Sequence, residues 1–149
     1  MLKRFGWPKG ATLLLGILFT GLALPVFAAP AQDSDATARK LDACVDKAAA
    51  TADSSQCYAT ALAAYDHRMN HAYVALMHAL PAAVAHQLQA SQRTWLTFRD
   101  AELKTQSDML ATKQGTMYVP MEEEEQLSLT RDRARRFESY ERVLEIDGQ

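Results

Sequence analysis

The sequence predicts an all-α protein, a small antiparallel bundle of about four helices with one disulfide. Three observations predict it. Helix formers such as Ala, Leu, Arg, Glu and Gln are common, and only six of the 149 residues are Gly. No segment alternates apolar and polar residues for long enough to read as a strand, whereas apolar residues recur at steps of three and four. The cysteines number two, Cys44 and Cys57.

Residues 1–28 read as a cleavable export signal. Lys3, Arg4 and Lys9 precede an apolar run from Ala11 to Leu24, and Val26-Phe27-Ala28-Ala29 supplies small residues for a cut after Ala28. That run is shorter than the roughly 20 residues a membrane-spanning helix needs. No Cys stands at the cut to carry a lipid. The expected location is therefore periplasmic or secreted. Residues 29–37 are small and polar and read as a disordered linker, and residues 38–146 as one helical domain.

The first helix is expected from about Asp35 to Ala50, with Leu41, Cys44, Val45 and Ala48 on one side. Thr51 to Ser55 reads as a turn whose serines could cap the next helix. The second helix is expected from Ser55 to Ala79. Its stripe is Tyr58, Leu62, Tyr65, Met69, Tyr73, Leu76 and Leu80, and Pro81 ends it. The third, from Ala82 to Ala111, carries two stripes: Val84, Leu88, Trp95 and Phe98, then Leu96, Leu103 and Leu110. Two stripes imply two packing neighbours. Gln92 and Arg99 fall between them and need polar partners. A loop from Lys113 to Pro120 leads to the fourth helix, Met121 to Ile146, whose inner face is Leu127, Thr130, Ala134, Phe137, Tyr140 and Leu144. Short connections favour antiparallel neighbours. The expected architecture is a hairpin of helices two and three, with helix one tied on by the disulfide and helix four in the second groove of helix three.

Loss of Lys3, Arg4 and Lys9 leaves 13 basic and 18 acidic side chains, a formal charge of −5 on the mature chain. An acidic domain suits a basic partner better than nucleic acid or an anionic membrane. In an oxidising compartment an even cysteine count favours a Cys44–Cys57 bridge. Such a loop adds roughly 3 kcal/mol in the chain-entropy view. Two buried free thiols are the alternative.

No catalytic constellation stands out. Ser91 has no His and acid in a known order, and there is no Gly-rich phosphate loop and no His-Glu-x2-His. No cofactor or metal is expected, and the chain does not read as an enzyme. His67, His71 and His78 share one face of the second helix. His67 and His71 have metal-compatible spacing, but His78 lies roughly 10 Å further along the axis. A solvated, weakly basic face is the simpler reading.

Glu122, Glu123, Glu124 and Glu125 form the densest charge run. They suit a helix N-terminus, where carboxylates meet the positive end of the dipole, and they could also steer a basic partner. With the preceding loop residues Gly115, Thr116, Met117 and Tyr118 they are the candidate partner-binding residues, since loops on rigid scaffolds carry binding surfaces.

The middle of the chain is distinctive. It reads Cys44, Cys57, Asp66-x3-Asn70-x2-Tyr73, Leu80-Pro81, then Gln92-x2-Trp95-x2-Phe98-Arg99-Asp100-Ala101-Glu102. Gly115-Thr116-Met117 and Leu129-Thr130-x2-Arg133 follow. Over Leu41 to Phe137 this resembles the lysozyme inhibitor LprI-like family of bacterial envelope proteins. Members often carry a further cysteine pair, one just after the Arg-Asp-Ala-Glu block and one before Leu-Thr-x2-Arg. Here Leu103 stands at the first position and no cysteine occurs near Gln126, which supports Cys44 and Cys57 pairing with each other. The resemblance implies an exported, non-enzymatic helical protein that blocks a lysozyme. An envelope interaction or structural module without that activity is the alternative. Asp66, Asn70, Tyr73, Gln92, Trp95 and Arg99 are expected to be structural, with Trp95 in the core and Asp66 paired to Arg99.

Overall fold

The computed structural model describes residues 35–113 and 115–146. The expected export signal and residues 29–34 lie outside the described residues. Four α-helices follow in order: α1 (Ala36–Val45), α2 (Thr51–Ala79), α3 (Ala82–Ala111) and α4 (Val119–Ile146), with a 3-10 turn at Thr116–Tyr118. No strand occurs among the described residues. Cys44 and Cys57 are joined in a disulfide, with Cα atoms 5.7 Å apart.

Asp35 starts the first helix. Its carboxylate accepts from the Thr37 amide at 2.9 Å, filling one of the unpaired donors at a helix start. The end of the segment expected to be disordered, residues 35–37, is therefore ordered. Helix α1 is shorter than expected and buries no residue fully; Leu41 leans on the core. Helix α2 begins four residues early, at Thr51. Ala50 stands at its N-cap without a side-chain bond, so the serines expected to cap do not. Pro81 caps α3, where its missing N–H costs nothing. Gly115 sits at φ 114°, backbone that glycine adopts freely, and the turn hands over to α4.

Consecutive helices run antiparallel, so α2 and α4 run parallel. Arg68 meets Glu138, and the rings of Tyr73 and Phe137 lie 5.8 Å apart, at similar offsets along the two helices. This parallel pair is the spine of the molecule. Tyr65, Leu76, Leu127 and Phe137 are its largest fully buried side chains, and Ala61, Ala72 and Ala134 stand among them. Alanines bring helix axes close, because interaxial distance follows side-chain size.

The expected architecture therefore needs correcting. The core is not built on an α2–α3 hairpin with α4 docked on α3. Of α3, only Leu88 joins the buried cluster, with Trp95 packed against it. Val84 and Phe98 of its expected inner stripe are 42% and 51% exposed. The physical reason is that α4 offers α2 a face of Leu127, Ala134 and Phe137 that fits the α2 stripe closely, which leaves α3 lying across the pair at greater distance. On α4, Tyr140 and Leu144 are also exposed; no described element covers them.

One polar network ties three helices together. Arg68 Nε donates to Glu138 Oε1 at 2.6 Å and Nη2 to Oε2 at 2.7 Å. Its Nη1 donates to Asp35 Oδ1 at 2.6 Å, and Arg135 approaches the other Asp35 oxygen at 3.5 Å. The guanidinium lies 4.9 Å from the Tyr65 ring centre. Burial by itself raises the Asp35 pKa. Hydrogen bonds from Arg68 and the Thr37 amide, with the neighbouring Tyr65 hydroxyl and the Arg68 charge, outweigh it and lower the pKa from 3.8 to about 2. The Tyr65 hydroxyl is buried without a well-formed hydrogen bond, so we read it as a dipole beside Asp35 rather than a bond to it. Burial, then Asp35, push the Tyr65 pKa upward.

A carboxyl with a depressed folded-state pKa stabilises the fold above its unfolded pKa and loses that contribution as pH falls through the folded one. Here the window runs from about pH 4 down to about pH 2. Asp35→Asn should lower stability at pH 7 by on the order of 2 kcal/mol, and the gap from the parent should close below about pH 2. Thermal melts by circular dichroism across pH 7 to 2 measure this; an unchanged melting temperature at pH 7 would remove Asp35 from the network.

Candidate binding site

Because α3 stands off from α2, the two helices leave an open groove of about 370 Å³. Asp66, Asn70 and Tyr73 line it from α2, and Gln92, Arg93 and Arg99 from α3, over Met69 and Leu96. Five of the six residues expected to be structural thus meet along one groove. Trp95 lies behind it, partly buried against the core.

The expected Asp66–Arg99 pair does not form. Asp66 Oδ2 accepts from Asn70 Nδ2 at 3.0 Å, one helical turn away. Arg99 donates to its neighbour Asp100, at 2.9 Å from Nε and 2.6 Å from Nη2, and its guanidinium lies 5.4 Å from the Trp95 ring centre. The separation of α2 and α3 is the physical reason: each side chain finds its partner on its own helix.

Gln92 does need a polar partner, as its position between two stripes implies, and Arg133 of α4 supplies it. Gln92 is 9% exposed. Its Oε1 accepts from Arg133 Nε at 2.9 Å, and its Nε2 makes a long contact of 3.9 Å to Met69 Sδ. Arg133 Nη2 donates to Ser91 Oγ at 3.2 Å. The same guanidinium lies 4.4 Å from the Phe137 ring centre and 5.5 Å from that of Trp95. Burial lowers the Arg133 pKa from its ordinary value; nearby Tyr140 opposes this and Arg136 adds to it. In the sequence Arg133 stands out only as the end of Leu-Thr-x2-Arg, and Arg93 belongs to no motif. The signal available was that Gln92 required a partner, but nothing in the spacing said that it stood on α4.

The other candidate residues gather at the far end of the bundle. Gly115, Met117 and Tyr118 lie in the connection before α4, and Met117 is 68% exposed. Thr116 opens the 3-10 turn. Gln106 Nε2 donates to the Met121 carbonyl at 3.3 Å, which fastens α3 to the start of α4. Glu122 and Glu123 face a second depression of about 290 Å³ beside Leu103, Gln106 and Val119. Glu124 is exposed. The Tyr58 pKa is raised by burial and then by Glu124, Glu123 and Asp42, which places those acids near α2. The four carboxylates thus fan round the helix, as 100° per residue requires, rather than forming one face. Glu123 Oε2 is buried without a hydrogen-bond partner.

His67, His71 and His78 are exposed on α2 as expected. Among the described residues no group of three or more His, Cys, Asp and Glu side chains is placed to hold a metal ion. No described helix is long and apolar enough to cross a membrane.

Compared with known families, residues 31–137 match the family described as lysozyme inhibitor LprI. The chain belongs to the LprI family. No curated protein and no solved structure matches it. The distinctive residues of this LprI family member fall into two groups. Gln92, Trp95 and Arg133 link α3 to α4, and Asp66, Asn70 and Arg99 line the groove, which Gln92 also borders.

That division has a measurable consequence. Arg133→Ala strips Gln92 of its hydrogen bond and should cost about 1–3 kcal/mol. Arg99→Ala breaks a pair whose acid, Asp100, is 66% exposed and should cost no more than about 1 kcal/mol. Chemical denaturation of both variants checks the order; an equal or larger loss for Arg99→Ala would reverse the roles.

Proposed function

We propose that this protein is exported by its N-terminal signal and inhibits a lysozyme in the periplasm or outside the cell, without catalysis of its own. The family match over residues 31–137 carries this reading. The acidic balance of the chain supports it, because an acidic surface draws a basic partner and speeds encounter. The surface proposed to meet the enzyme is the end of the bundle where the Gly115–Tyr118 connection precedes Glu122 to Glu125. Exposed Met109, Met117 and Met121 provide apolar contact there, and methionine adapts to an irregular partner surface. The carboxylates provide long-range attraction. Inhibition would be steric, by covering the substrate cleft.

Purified protein should slow lysis of cell-wall substrate by lysozyme at about micromolar concentration. No inhibition of several lysozyme types would overturn the reading. Replacing Glu122, Glu123, Glu124 and Glu125 together by Gln should slow association roughly tenfold at low salt and flatten its salt dependence. An unchanged on-rate would take the acids out of the account. Export should yield a product beginning at Ala29, which intact-mass measurement of the secreted protein determines.

A further inference from the structure

The chain has more acidic than basic residues, yet the α2–α3 groove gathers guanidinium groups. Arg93 lines its α3 rim, and its guanidinium makes no ion pair or hydrogen bond with any described residue. Arg99 has only Asp100, a carboxylate standing largely in water. Arg133 sits behind Gln92, held by two neutral oxygens and two aromatic rings rather than by an acid. The one carboxylate lining the groove is Asp66, and one of its oxygens already accepts from Asn70.

Packing alone gives little reason for this arrangement. Arg99 and Arg133 both stand over the Trp95 indole, and Arg93 and Arg99 line the same groove with Asp66 as the one carboxylate among its lining residues. An anion entering the groove would meet both guanidinium groups, and the guanidinium fork matches a carboxylate in shape and hydrogen-bond geometry. The rest of the lining narrows the ligand further. The Asn70 and Gln89 amides suit peptide groups, which both donate and accept. The free Asp66 oxygen can accept an N–H. Met69 and Leu96 give an apolar floor for small side chains. The volume of about 370 Å³ lies at the small end of ligand sites. We propose that this groove binds the C-terminal carboxylate of a short peptide with small side chains, with Arg93 and Arg99 on the carboxylate and Asn70, Gln89 and Asp66 on the peptide groups. A neutral sugar lacks the anion that the unpaired Arg93 guanidinium and the water-exposed Arg99 pair favour.

The probe is N-acetyl-trialanine with a free carboxylate, titrated into the full chain by calorimetry. The same tripeptide as its C-terminal amide, sodium acetate and a neutral N-acetylglucosamine disaccharide run beside it. The free acid should saturate at or below about 1 mM, with the amide at least about tenfold weaker. Arg93→Gln, which breaks no internal bond, should weaken the acid by about tenfold or more while the melting temperature stays put. Arg99→Gln should weaken it as well. Equal binding of acid and amide, no saturation by about 10 mM, acetate binding as tightly as the peptide, or the disaccharide binding more tightly would each overturn the proposal. A lysozyme that is not inhibited would leave the groove's own titration unaffected, so the two readings stand or fall separately.

Discussion

Arg68 is the group on which the arrangement of the helices depends. Its guanidinium makes a two-pronged bond to Glu138 of α4 and a single bond to Asp35 at the start of α1. Apolar stripes alone permit helices to slide by a turn, since a stripe repeats along its own length. A planar fork that must meet one carboxylate does not permit it. Arg68 therefore sets the register of the parallel α2–α4 seam, and through Asp35 it sets the point at which the chain enters the fold. The network is partly open to water, so its worth is specificity of arrangement more than raw stability. The disulfide completes the same task at the opposite end of α1, where Cys44 is covalently fixed to buried Cys57.

The tightness of that seam has a consequence for α3. Small residues draw α2 and α4 together, and α3 must still connect the far end of one to the near end of the other. It spans the pair as a long antiparallel strut, anchored by Leu88, by the Gln92–Arg133 bond and by the Gln106 contact to the start of α4. Between those anchors it keeps its distance from α2. The groove is the space this leaves. Polar side chains line it because water reaches it, and a polar wall on rigid helices is how a site is held without loops.

The two ends of the molecule thus offer different chemistry. The α3–α4 connection presents flexible thioethers and carboxylates on a turn, suited to a large basic surface. The α2–α3 groove presents guanidinium and amide groups on helices, suited to a small anionic ligand. Charge separates them: acidic at the connection and locally basic in the groove, within a chain that is acidic as a whole.

Much of this was legible in the sequence. Helical periodicity gave all four helices, and α3 from end to end, because an amphipathic stripe and its Pro and Gly stops are local properties. The cysteine pair and the family motifs were equally local. The role of those motifs was not. Asp66 and Arg99 looked like partners because both flank apolar stripes, yet each bonds to a neighbour on its own helix. Asp35 reads in the sequence only as the edge of a linker and the start of the first helix, since its partner Arg68 is 33 residues away. Sequence alone determined that there would be four helices and which faces were apolar. Only the tertiary structure decided that α2 would pair with α4 rather than α3, because helix pairing follows from how closely whole faces fit, and that choice turned a set of framework residues into the lining of a groove.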